Sequence, residues 1–136
     1  MIGLDTNVLV RYFTQDDASQ SRSAERIIDA LTSDDPGFVS LVALAEVAWV
    51  FKTVYRLQND EITPIIDGML SAQEFRLEQA ECVRQAARAA KETSVGFADA
   101  LTSSLGAAAG CETTFTFDRA AAKLPGMTLL KASKTA

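Results

Sequence analysis

Apolar residues recur along this chain in two alternating rhythms, short runs of strand length and longer stretches with helical spacing. That alternation predicts an α/β domain with a mostly parallel sheet. Residues 1–4 read as a first apolar strand, and Asp5-Thr6-Asn7 follow at its carboxyl end before residues 8–13 turn helical. Residues 16–23 are polar and offer several N-caps. Ala24, Ile27, Ile28 and Leu31 then recur at i, i+3, i+4 and i+7, the buried stripe of a second helix that stops in Ser33-Asp34-Asp35-Pro36-Gly37. Phe38-Val39-Ser40 reads as a strand. Residues 41–55 read as a helix apolar on nearly every face, which assigns it to the interior. Asp60 can cap the next helix, with Pro64 in its first turns and Ile62, Ile65, Ile66, Met69 and Leu70 as its stripe.

In the second half, Phe75-Arg76-Leu77 is a short strand and residues 79–92 an alanine-rich helix with Ala80, Val83, Ala87 and Ala90 on one side. Residues 98–109 form another helix, closed by Gly110. Thr113 to Phe117 carries the strongest strand signal, because β-branched and aromatic residues dominate it. A helical turn over 120–123, a Pro125-Gly126 turn and a last strand over 127–130 complete the pattern. The expectation is a three-layer α/β/α sandwich around about five strands, one domain over residues 1–131, and a frayed polar tail over 132–136.

Size and composition narrow the chemistry. With 136 residues, 48% hydrophobic and 23% charged, the chain suits one globular core. It contains no histidine, which removes histidine bases, histidine zinc sites and Ser-His-Asp triads together. Cys82 and Cys111 lie too far apart for a redox motif and read as buried, reduced thiols in apolar helical surroundings. No basic leader precedes the first strand, and no stretch reaches about 18 uncharged apolar residues, so a soluble cytoplasmic protein with no membrane partner is expected. Thirteen basic against eighteen acidic residues give a net charge of −5, the wrong sign for bulk attraction to nucleic acid. Any RNA contact must therefore be local.

Four acids interrupt the apolar pattern. Glu46 falls in Leu-Val-Ala-Leu-Ala-Glu-Val-Ala-Trp-Val-Phe, where a lone buried carboxylate would cost several kcal/mol unless paired, protonated or bound to a cation. The plain alternative is a glutamate on a narrow exposed edge of that helix. Asp5 and Asp118 each directly follow a strand, and open parallel sheets bind ligands beyond the carboxyl ends of their strands. Asp99 stands near a helix start, where it complements the dipole. Taken singly, Asp5, Asp99 and Asp118 are ordinary caps or turn formers. If the four converge, they cannot all stay ionised without a cation, and oxygen donors without histidine or thiolate favour Mg²⁺ or Mn²⁺. Such an ion suits phosphodiester hydrolysis. Thr6, Asn7 and Ser40 could orient the carboxylates or the attacking water, or simply cap helices and end a strand.

The segments Ile2-Gly3-Leu4-Asp5-Thr6-Asn7-Val8-Leu9, Ser40-Leu41-Val42-Ala43-Leu44-Ala45-Glu46-Val47, Phe97-Ala98-Asp99-Ala100-Leu101 and Thr116-Phe117-Asp118-Arg119 resemble, in order and separation, the four blocks of PIN-domain proteins. The closest likeness is to VapC toxins of bacterial toxin–antitoxin pairs. The resemblance implies a Mg²⁺- or Mn²⁺-dependent endoribonuclease on a five-stranded parallel α/β/α sandwich. It makes Asp5 and Asp99 the central metal ligands, with Glu46 and Asp118 completing the set directly or through water. It also implies a homodimer and a VapB-type antitoxin lying in a groove made by the helices at 41–55 and 60–71, with DNA reached only through that antitoxin.

For the substrate, Arg11, Lys52, Arg56, Arg119 and Lys123 lie near the motif segments and could form a basic rim, or be scattered surface charge. Two other readings stay open. One is a Mg²⁺-dependent aspartyl phosphotransferase or phosphatase, opposed by Asn7 where a second aspartate is usual and by the absence of lysine from the motif blocks. The other is a catalytically inactive PIN-like binding module, opposed by the presence of all four acids.

Overall fold

The computed structural model describes residues 1–134, and the chain folds as two compact units, Met1–Ala80 and Glu81 onward. The first unit runs β1 (Ile2–Gly3), α1 (Thr6–Thr14), α2 (Ala18–Asp29), β2 (Gly37–Val39), α3 (Leu41–Thr53), α4 (Asn59–Ser71) and β3 (Phe75–Leu77). Its sheet has the order β1-β2-β3, both pairs parallel, with Ile2 opposite Gly37 and Gly37 opposite Phe75. Helices connect successive strands because parallel neighbours need a crossover. The same parallelism puts every strand's carboxyl end on one edge, so Asp5, Ser40 and Glu78 all leave the sheet there.

Side-chain caps set the helix starts. Asp5 accepts the Thr6 N–H at 2.8 Å, Asp17 the Gln20 N–H at 3.0 Å and Ser40 Oγ the Ala43 N–H at 3.1 Å, each satisfying a donor the helix leaves free. Helix α1 therefore begins at Thr6, two residues before the apolar run. Helix α4 is capped at Gln58, not Asp60: Glu61 reaches back to the Gln58 N–H at 3.0 Å in a capping box. Leu9, Val39, Leu44, Val47, Phe51, Ile66 and Met69 are almost fully buried. Phe13, Phe51 and Tyr55 stack edge to face with centroids 6.4 Å apart, the arrangement that aligns ring edges with ring faces.

Helix α3 is not the interior helix its composition predicts. Ala43, Leu44, Val47, Ala48 and Phe51 face inward, but Val42 is 71% exposed and Trp49 62% exposed, and Glu46 shares their outer face. Ile27, expected in the α2 stripe, is also exposed, whereas Ala24, Ile28 and Leu31 are buried. Hydrophobic character marks which residues prefer burial without deciding which ones a single-sided packing partner can cover.

The second unit runs α5 (Ala80–Thr93), α6 (Phe97–Ala108), β4 (Thr114–Thr116), a 3₁₀ turn (Ala121–Lys123) and β5 (Met127–Leu129). Strands β4 and β5 are parallel, Thr114 opposite Met127. The five expected strands are thus present with parallel pairing throughout, as a three-stranded and a two-stranded ladder. Cys82, Val83, Ala86, Ala87 and Ala90 make the buried face of α5. Helix α6 closes in a Schellman arrangement: Gly110 N donates to Ala107 O and Cys111 N to Gly106 O, both at 3.0 Å, with Gly110 at φ +93°. A Cβ at Gly126 would sit 2.5 Å from Ser103 Oγ, so that turn approaches α6 closely only because its residue is glycine.

Strand β4 is shorter than its pattern, and Phe115 and Phe117 are 62% and 68% exposed. Cys82 is buried as expected, but Cys111 is exposed and lies beyond the helix, and both thiols are free. Of the expected frayed tail, residues 132–134 carry no helix or strand, and residues 135–136 lie outside the described residues.

Candidate functional site

The first unit holds two of the four singled-out acids. Asp5 stands at the carboxyl end of β1 and the amino end of α1, exposed, with Oδ1 fixed by the Thr6 N–H. That bond fixes the carboxylate's position and leaves its other oxygen available. Thr6 is only 6% exposed, and its Oγ1 is buried without a hydrogen-bond partner, an uncommon condition for a hydroxyl. Glu46 is exposed on α3. This corrects the reading of Glu46 as a buried charge in need of a counter-ion: no desolvation penalty arises at this position. Its place in the candidate set rests on the motif alone.

Ser40, at the end of β2, is spent on the α3 N-cap. A fifth acid shares the edge and was not singled out from sequence. Glu78 follows β3, its N–H donates to Val39 O at 2.9 Å, and its Oε1 accepts the Leu41 N–H at 2.8 Å. The rule that flags Asp5 after β1 applies equally to Glu78 after β3, so the signal was present in the order strand then acid.

The second unit holds the other two. Asp99 is half-buried in the first turn of α6, where the N–H groups at the helix start favour an anion. Asp118 follows β4 and is exposed. Its Oδ1 accepts the Ala120 and Ala121 N–H groups at 2.8 and 3.3 Å, an ordinary turn-forming role, and Oδ2 is not engaged in that turn. In neither unit, among the described residues, do three or more acidic or thiol side chains stand together as a metal-binding group.

Of the basic candidates, Lys52, Arg56, Arg119 and Lys123 are exposed, Arg56 in a left-handed turn conformation at φ +57°. Arg11 is different. Its Nε donates to Gln20 Oε1 at 2.7 Å, and its Nη1 donates to Asp16 Oδ1 at 2.8 Å and Tyr55 Oη at 3.3 Å. Tyr55 Oη in turn donates to Asp16 Oδ2 at 2.6 Å. Asp16 is held below its ordinary value near 3.8, first by the Tyr55 hydroxyl and then by Thr14 and Arg11. A carboxylate whose folded pKa is lowered stabilises the fold above its unfolded pKa and loses that contribution as pH falls through the folded one. Asp16→Asn is therefore expected to melt lower than wild type by a constant margin from pH 7 to 5. Below about pH 4 the margin should shrink as wild-type Asp16 protonates, and thermal melts at half-unit pH steps measure this.

The chain matches the PIN domain over residues 2–127, nearly its whole length. The chain belongs to the PIN domain family. Among curated proteins no match is found. PIN domains have a nuclease-type fold, are generally hydrolases and typically use divalent metal ions. The side chains of this PIN domain fit such an ion in kind: the candidate donors Asp5, Glu46, Asp99 and Asp118 are all oxygen donors with no histidine beside them. The Thr6 hydroxyl adjoining Asp5 is buried without a partner, an unsatisfied oxygen next in the chain to that carboxylate. Among the described residues no helix is long and apolar enough to cross a membrane.

Proposed function

We propose that this PIN domain is a Mg²⁺- or Mn²⁺-dependent endoribonuclease, acting as a single domain over residues 1–131. We assign Asp5 and Asp99 as the central ligands, with Glu46 and Asp118 completing the set. When bound, the cation would neutralise a phosphodiester and activate a water for attack on it. The chain's own contribution is placement. The Thr6 N–H holds Asp5 Oδ1, the Ala120 and Ala121 N–H groups hold Asp118 Oδ1, and the α6 amino end favours the charge on Asp99. Thr6 and Asn7 flank Asp5, while Ser40 supports the neighbouring strand end by capping α3. Arg11, Lys52, Arg56, Arg119 and Lys123 supply local attraction for RNA in a chain of net charge −5.

The observation that carries this reading is the family match over residues 2–127. We further assign the chain to the toxin side of a VapBC-type pair: a cytoplasmic homodimer restrained by a VapB-type antitoxin, meeting DNA only through that antitoxin. The exposed face of α3, with Val42 and Trp49, supports a role for α3 and α4 in antitoxin contact.

End-mapping of total RNA incubated with the purified protein tests the activity. Internal cuts with 5′-phosphate ends are expected in Mg²⁺ or Mn²⁺ and none in excess chelator. Intact RNA in Mn²⁺, with the protein folded, would overturn the nuclease assignment. A neighbouring gene for a small DNA-binding protein that relieves growth arrest on co-expression would support the toxin role, and growth unaffected by induction would remove it.

A further inference from the structure

A half-open cleft of about 400 Å³ lies in the first unit between the end of β1, α1 and α2, within the size range of small-ligand sites. Leu4, Val8, Ala24 and Ile27 give it an apolar wall, and Asn7, Arg11, Ser19, Gln20 and Ser23 give it polar groups. Its lining flanks Asp5 in the chain, with Leu4 directly before it and Asn7 in the first turn of the helix that Asp5 caps. In a chain with eighteen acidic residues the lining has one arginine and no carboxylate.

We propose that this cleft is a nucleobase pocket that holds the base beside the scissile phosphate and prefers guanine or uracil to adenine or cytosine. The proposal rests on the nuclease reading for the phosphate's position and stands on the cleft for the base. An apolar wall accepts the face of a heterocycle, and the polar groups read its edge. Arginine only donates hydrogen bonds, so Gln20 must turn its oxygen toward Arg11 Nε, as the 2.7 Å contact has it. Gln20 then offers both NH₂ hydrogens, Arg11 adds donors and no acceptor, and Asn7, Ser19 and Ser23 can donate or accept. The polar side is therefore biased toward donation, which suits the edge where guanine presents O6 and N7 and uracil presents O4, and opposes the amines that adenine and cytosine carry on that edge; guanine's own amine lies on the opposite edge. Bonds to Asp16, Tyr55 and Gln20 hold the guanidinium before any ligand arrives, so little side-chain freedom is lost on binding.

The test is an amide chemical-shift titration of the metal-free, full-length protein with the four ribonucleoside 5′-monophosphates and with inorganic phosphate. GMP or UMP should shift Asn7, Ser19, Gln20 and Ser23 at lower concentration than AMP or CMP. Ser23→Trp and Ser19→Leu, both at exposed positions, should each weaken that binding at least about tenfold by filling the cleft. Asp5→Asn should leave it intact. Equal response to all four nucleotides, the same shifts with phosphate alone, or no shifts at millimolar nucleotide would each overturn the pocket. RNA cutting with no base preference beside the cut overturns the pocket and spares the nuclease reading. Base-selective binding without RNA cutting does the reverse.

Discussion

Asp5→Asn is expected to reduce RNA cleavage by at least about 100-fold without lowering the melting temperature, since loss of a few kcal/mol of metal-derived transition-state stabilisation corresponds to factors of that size. The separation of activity from stability follows from how Asp5 is used. Its Oδ1 caps α1 by accepting the Thr6 N–H at 2.8 Å. An asparagine carbonyl oxygen can accept the same bond, and asparagine is as good an N-cap as aspartate. The substitution removes only the negative charge, which the cap does not need and a divalent cation does. Mn²⁺ should raise the melting temperature of the wild type, and the rise should shrink in Asp5→Asn, because an ion that binds only the folded state stabilises it by an amount that grows with the logarithm of its affinity. Asp99→Asn should behave the same way. Cleavage at the wild-type rate in both variants would remove these residues from the site.

Helix and strand order was legible in the sequence because each element carries its own periodicity and its own punctuation. Gly110 closing α6 and the polar stretch 16–23, which contains the α2 cap, are local signals. Phe75-Arg76-Leu77, only three residues long, was recoverable because helical spacing stops on either side of it. What escaped was whatever depends on which faces are covered. Glu46 illustrates this: its neighbours are so apolar that a buried charge was the natural expectation, yet packing covers one side of α3 and leaves Val42, Glu46 and Trp49 outside. Phe115 on β4 and Phe117 just beyond it are likewise apolar and exposed. Side-chain exposure is decided by partner elements, and a one-dimensional pattern does not contain them.

The candidate site divides along the same line. Asp5 and Asp118 were found by a positional rule, acid after strand, that needs only the order of elements. Glu78 obeys that rule too, after a strand of only three residues. The arginine cluster was legible only as one charged residue near a motif. The bonds of Arg11 to Asp16 and Gln20 are local, but its bond to Tyr55, just beyond α3 and 44 residues away in the chain, depends on α3 packing against α1. Networks of this kind give the clearest difference between a charge that is merely near the site in sequence and one whose position is built.

Phe51→Ala is expected to cost about 3–5 kcal/mol, a large share of the 5–15 kcal/mol that stabilises a typical domain. Phe51 is 1% exposed, it makes edge-to-face contacts with Phe13 and Tyr55 at 6.4 Å, and its truncation leaves a cavity lined by rings too large to collapse into it. The loss combines transfer free energy with cavity cost, and the second part grows with how rigidly the neighbours are held. Tyr55 is held by its bonds to Asp16 and Arg11, so it cannot swing in to fill the space. The matching control lies on the same helix. Val42→Ala removes apolar atoms from a residue 71% exposed and should change stability by no more than about 0.5 kcal/mol. Urea unfolding followed by the fluorescence of Trp49, the chain's one tryptophan, reads both variants from within α3 itself. A midpoint drop in Phe51→Ala well beyond that in Val42→Ala supports the one-sided burial of α3. Equal drops would return the helix to the interior, and with it the case for Glu46 as a buried charge.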